Sequence, residues 1–151
     1  MSHRILVIED EEDMQFMLRE ALGRRGYDVE TAGTGDEGLI KLKAASFDLI
    51  LLDVRLPGQD GVSLIPTIKE IDPMSIIILM TAFGSRRLQS GAYDYFTKPF
   101  RMDEMYTVIQ RAIEKRQLLK DIHELERRHK NSDHVQPKVE VFSKLSFPDC
   151  L

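Results

Sequence analysis

The chain alternates between two kinds of hydrophobic pattern. "RILVI" (4–8) is an unbroken apolar run, and "EEDMQFMLREALGRRGY" behind it sets Phe16, Met17, Leu18, Ala21 and Leu22 on one helical side, with Gly26 near its end. "YDVETA" from Tyr27 alternates as a strand, and "GDEGLIKLKAAS" from Gly35 reads as a helix. "FDLILLD", Phe47 to Asp53, is a second apolar run. "GVSLIPTIKEID" from Gly61 predicts a helix that accommodates Pro66 only in its first turn, where no helical amide bond is lost. "SIIILMTA" and "AYDYFTK" predict two more strands. Strands this uniformly apolar are covered on both faces, and their alternation with helices predicts an α/β fold with a doubly wound, five-stranded parallel sheet.

From Met102, "MDEMYTVIQRAIEKRQLLKDIHELERRHK" predicts one long helix, docked on the sheet through Met105, Val108, Ile109 and Ala112. The domain is expected to occupy 1–116. Beyond it Leu118, Leu119, Ile122 and Leu125 continue an apolar stripe, with Glu124, Glu126, Arg127 and Arg128 around it. The segment 117–130 is therefore expected to pair with a second copy, in preference to lying against its own domain. Residues 131–151 show no period. One connection is short for the span it must cross. Ten residues, "AFGSRRLQSG", separate Thr81 from Ala92, whereas a parallel crossover takes about a dozen or more. Either the helix there is a stub or residues are missing near Arg86 to Leu88. The second is preferred, since a stub would bare the sheet over Ile77 and Leu79.

Composition narrows the class. At 151 residues, 42% hydrophobic and 30% charged, the chain can bury one core plus an appendage. A net charge of -4 and a pI near 5.6 give no electrostatic footprint for nucleic acid. The single cysteine, Cys150, excludes a disulfide framework or metal-thiolate cluster and makes a reducing cytoplasm the simplest compartment. "MSHRILVIED" lacks an apolar segment of signal-peptide length, and no run reaches the length of a membrane span. A cytoplasmic protein with no membrane partner is expected.

Open parallel sheets bind ligands beyond the carboxyl ends of their strands. Glu9 and Asp10 follow the first strand, Asp53 ends the third, Thr81 the fourth and Lys98 the fifth. Because burying a charge is costly, Asp53 is expected to stand exposed at the open end, as a carboxylate nucleophile able to accept a phosphoryl group. Clustered carboxylates suit a hard cation such as Mg2+, and Thr81 and Lys98 would stabilise phosphoryl oxygens. Singly, each residue has an ordinary reading. The acids from Glu9 to Asp13 also suit a helix N-terminus, Thr81 is a good strand former, Lys98 reads as a surface lysine and Tyr95 as a half-buried strand residue. Asp94 and Asp103 are left structural. It is their convergence on one edge that points to a site. A nucleotide binder of this fold would bring phosphate against the five acids from Glu9 to Asp13, where a Gly/Ser/Thr-rich loop is wanted. An aspartyl phosphatase typically resembles Asp-x-Asp, and Arg55 stands where the second acid belongs.

"VIEDEED", "DLILLDVRLPGQDG", "ILMTAFG" and "GAYDYFTKPF", in that order, resemble the receiver domain of two-component response regulators over Arg4 to Ile122. The last motif and the charged helix behind it are most similar to receivers of nitrogen-regulator (NtrC-like) transcription activators. The resemblance implies a flavodoxin-like receiver fold with Asp53 as phosphoacceptor. It implies Glu9 and Asp10 as the acidic pair, and Mg2+ held by Asp10, Asp53 and the backbone carbonyl of Arg55, with Glu9 in the same metal site. Thr81 is then the switch hydroxyl, Tyr95 the switch aromatic, Lys98 the phosphoryl contact, and the bond from Lys98 to Pro99 is cis. The implied partners are a sensor histidine kinase and a second copy in a homodimer, with DNA reached only through domains outside this chain. The alternative is a stand-alone receiver or phosphotransfer module with no DNA-binding output. In either case the expected chemistry is self-phosphorylation and slow hydrolysis, with no external substrate turned over. Receivers of similar sequence also carry a few more residues between Gly84-Ser85 and Gly91-Ala92.

Overall fold

The computed structural model describes residues 2–82 and 91–130. Strands β1 (Arg4–Ile8), β2 (Asp28–Ala32), β3 (Leu49–Asp53), β6 (Ile77–Thr81) and β7 (Asp94–Thr97) form one parallel sheet in the order β2-β1-β3-β6-β7. Every residue of β3 and β6 is buried, because helices cover both faces. That double cover is why these strands read as continuous apolar runs instead of alternating. Between β3 and the next helix the chain makes a small antiparallel hairpin, β4 (Arg55–Leu56) with β5 (Gln59–Asp60), which the apolar pattern does not signal. Pro57 and Gly58 form its turn, and Gly58 takes φ 71°, a value a side chain would resist.

Helix α1 (Glu12–Arg24) buries Leu18 and Leu22. Phe16 and Met17 do not join them, being 64% and 37% exposed. Two residues back along a helix is about 200° round its axis, so Phe16 faces away from Leu18 and the expected five-residue face is narrower. Thr34 caps α2 (Gly35–Ala44) by accepting the amide hydrogen of Glu37. A 3₁₀ turn, Gly61–Leu64, leads into α3 (Ile65–Ile71), and Pro66 sits in its first turn as the pattern requires.

Helix α4 runs from Met102 to Lys130. It buries Met105, Ile109 and Ala112 as expected, leaves Val108 half-buried, and also buries Ile113 and Arg116. The chain divides after Arg116 into two compact units. In the second, α4 continues with Leu118 50% and Leu125 40% exposed. Gln117 pairs with Asp121 there, and Glu124 with Arg127. The question of a stub helix or missing residues near Arg86 to Leu88 lies outside the described residues, as does 131–151. Among the described residues no helix is long and apolar enough to cross a membrane.

Candidate functional site

The carboxyl ends of β1, β3, β6 and β7 meet at one pocket of about 620 Å³, lined by Asp10, Glu11, Asp53, Val54, Arg55, Gln59, Asp60, Thr81, Ala82 and Lys98. Each comes from a strand end or the loop behind it, where the ladder stops and side chains are free to converge. Lys98 follows β7 directly, and its amide donates to Thr81 O at 2.7 Å, tying the last two strand ends together. The Lys98–Pro99 peptide is cis. Lys98 Nζ then donates to Glu9 Oε1 at 2.7 Å and to Asp53 Oδ2 at 3.1 Å.

Asp53 is not the exposed carboxylate that the cost of burying charge suggests. Only 4% of the residue is accessible. Its charge is supported instead of solvated: Lys98 holds one oxygen, and the Arg55 amide donates to Oδ1 at 3.0 Å. Glu9 lies fully buried behind the pocket, its carboxylate accepting from Lys98 and from the Glu11 amide at 3.0 Å. Burial above all, with a smaller push from the neighbouring Asp53 and against the lowering effect of those bonds, holds the Glu9 carboxyl up at about 7. For Lys98, burial alone would lower the pKa; the two carboxylates outweigh it and the net shift is upward.

Glu9, Asp10 and Asp53 each offer a carboxylate oxygen, and the three oxygens lie within 4.8 Å of one another. An all-oxygen set of three acids around a polar, open pocket fits a hard divalent cation that retains several waters. It does not suit zinc or copper, which favour nitrogen and sulfur ligands. Arg55 lines the same pocket, as does Thr81, which is 4% exposed. Tyr95 is not among the lining residues; it is half-buried and packs against the apolar cluster that includes Ile8, Leu52 and Leu79. Asp94 accepts from the Tyr95 amide and Asp103 pairs with Arg101 at the start of α4, both local bonds consistent with structural roles.

Three contributors are not evident from the strand-end motifs. The hairpin turns Gln59 and Asp60 back to the pocket rim, for which Pro57-Gly58 was the only sequence signal. Gly61 packs so closely that a Cβ there would lie 2.0 Å from Asp53 O, a contact only glycine permits. The third is Gln15, whose Nε2 donates to Glu9 O at 2.5 Å; a polar residue in a helix carries no signal of such a reach.

Residues 5–110 match the model of the response regulator receiver domain. The chain is 36% identical over 114 residues to the DNA-binding transcriptional regulator NtrC of Salmonella typhimurium, covering 72% of this chain and 24% of that one. To the chemotaxis protein CheY of Bacillus subtilis it is 33% identical over 119 residues, 75% of this chain and 99% of CheY. A crystal structure of the response regulator TrrA from Thermotoga maritima in complex with Mg(2+)-BeF superposes with a TM-score of 0.67 at 32% identity, covering 73% of this chain and 98% of that one. The chain spans about a quarter of the length of the NtrC and AtoC regulators it matches. With the five-stranded parallel sheet and the acidic edge already described, these matches make the chain a member of the response regulator receiver domain family, with NtrC-type transcription regulators among its relatives.

Proposed function

We propose that this receiver is a phosphorylation-dependent switch in which Asp53 accepts a phosphoryl group from a sensor histidine kinase. An Asp53 carboxylate oxygen attacks phosphorus, forming an O–P bond as the P–N bond to the donor histidine breaks. The electron pair leaves with the imidazole, which takes a proton from water. The observation that carries this reading is Lys98 Nζ bridging Glu9 Oε1 and Asp53 Oδ2, at 2.7 and 3.1 Å, at the mouth of a pocket with an acidic cluster. Glu9, Asp10 and Asp53, with the Arg55 carbonyl, would hold Mg2+, which supplies positive charge for the phosphoryl oxygens. The ammonium of Lys98 would pass from Asp53 to a phosphoryl oxygen, and the Thr81 hydroxyl would turn toward another.

The readout is conformational. Thr81 drawn inward leaves space for Tyr95 to rotate, and this alters the face made by β7 and by α4. Leu118, Leu119, Ile122 and Leu125 on the extension would pair with a second copy, and the altered face would make or break that pairing. A transcription output requires domains outside this chain, and a cytoplasmic location follows from the kinase partner.

Intact mass after incubation with acetyl phosphate and Mg2+ tests the reading. The parent should gain one phosphoryl group and Asp53→Asn none; a full gain in Asp53→Asn would remove the assignment.

A further inference from the structure

We infer that Gln15 is a positioning residue for the acidic pair, acting through the peptide unit that joins Glu9 to Asp10. The inference rests on the metal site proposed above. β1 ends at Ile8, and Glu9, one residue on, is fully buried. A buried carbonyl needs a partner. The Glu9 amide still reaches the neighbouring strand, donating to Ala32 O at 2.9 Å. Its carbonyl is met instead by a side chain, Gln15 Nε2 at 2.5 Å.

Gln15 is well placed for this. It lies in the first turns of α1, where its own amide donates to Glu11 O at 3.0 Å, and the N-cap residue Glu11 makes no side-chain capping bond. The Gln15 side-chain amide therefore clips the helix start to the strand end across the turn that carries the acids. On the other side of this turn, the Glu9 carboxylate is held by Lys98 and by the Glu11 amide. Asp10 is exposed and offers an oxygen to the cluster. The peptide plane between the two acids can turn only if its carbonyl leaves Gln15, and turning it would swing Asp10 relative to Glu9 and Asp53. Holding that plane presets the spacing of the three oxygens before a cation arrives, so less reorganisation is needed on binding.

Calorimetric titration with magnesium chloride separates this from a structural role. The parent should bind, and Asp10→Asn should lose most of the affinity. Gln15→Met keeps the side-chain length but has no donor, and should weaken binding roughly fivefold, the worth of one net hydrogen bond. Gln15→Asn, too short to reach, should behave the same way and serves if Gln15→Met folds poorly. Gln15→Glu should be worse than either, because it sets an anionic oxygen against the carbonyl. The urea midpoint in EDTA should stay near the parent's for Gln15→Met and Gln15→Asn. Unchanged magnesium affinity in both overturns the inference, as does an affinity loss that only tracks a matching loss of stability. A parent that binds no magnesium removes the metal site itself, and the inference with it.

Discussion

Replacing Arg116 with alanine tests whether a buried ion pair fixes the docked half of α4. The Arg116 side chain is 5% exposed, and its Nη1 lies 2.9 Å from Asp72 Oδ2 and donates to Met74 O at 2.9 Å. Nε has no hydrogen-bond partner and stands 3.7 Å from Asp48 Oδ1. Asp48 in turn accepts the Arg4 amide hydrogen, so one guanidinium ties α4 to the end of α3 and to the loop before β3. Breaking a buried pair from one side typically costs about 3–5 kcal/mol, because a charge is left unsatisfied. Here the stranded partners, Asp72 and Asp48, are 24% and 26% exposed and can rehydrate. That lowers the expected cost to ~2–3 kcal/mol, including the lost charged hydrogen bond. For a domain of this size it corresponds to a drop of about 8–12 °C in Tm. Urea unfolding followed by circular dichroism should show the midpoint falling with the slope unchanged. Asp72→Asn should cost less, and the double variant should be less than additive with Arg116→Ala. A loss below about 1 kcal/mol for Arg116→Ala would refute the reasoning, since it would mean that the guanidinium's desolvation cancels its contacts.

Gly61→Ala should destabilise by ~1–3 kcal/mol, the usual cost of forced overpacking, and slow phosphorylation by acetyl phosphate, because Asp53 O must yield to the new methyl group; an unchanged rate and urea midpoint would count against the contact. Lys98→Ala should leave magnesium affinity largely intact while impairing phosphoryl transfer, and a collapse of metal binding in calorimetry would show that its role is misassigned. Beryllofluoride should change the oligomer size measured by sedimentation, and Leu118→Asp with Leu125→Asp should hold the chain monomeric in both states; an unchanged size in the parent, with and without beryllofluoride, would remove the dimer switch. Lys69 has its pKa lowered chiefly by burial, so between that value and the ordinary 10.5 the unfolded chain binds more protons and stability rises with pH. Lys69→Met should flatten that rise in urea midpoints just below pH 10.5, and an identical slope in parent and variant would show that burial does not act there.

The parts of this molecule that follow from one-dimensional pattern were legible. The central strands announce themselves because a strand covered on both faces has no polar position to break the run, as in Leu49 to Asp53. The site motifs were legible because a parallel sheet brings the ends of its strands to one edge, so Asp53, Thr81 and Lys98 meet whatever the intervening helices contain. What periodicity could not supply was orientation. Phe16 and Met17 are apolar in an amphipathic helix and yet face outward, while Leu18 and Leu22 alone are fully buried from α1. Arg116 was the opposite failure. A charge in a helix is assigned to solvent by default, and only the fold shows two carboxylates and a carbonyl arriving from elsewhere to receive it.

The same distinction explains why Asp53 can be buried. Sequence reasoning weighs a charge against an apolar run, and the only escape available to it is exposure. In the fold a second escape exists: Lys98, 45 residues further along the chain, lies between Asp53 and Glu9. One ammonium faces three carboxylates, those of Glu9, Asp53 and, at 3.8 Å, Glu11, with Asp10 in the same acidic cluster, so the pocket holds more negative charge than its lysine offsets. A phosphoryl group adds further negative charge, about -1.5 to -2 in comparable phosphorylated side chains near neutral pH. Such a site can accept it only if a cation arrives or Lys98 changes partners. On the proposed function, either event would alter what Asp53 and Glu9 hold, and a local charge at one strand end would in that way bias the surface made by its neighbours.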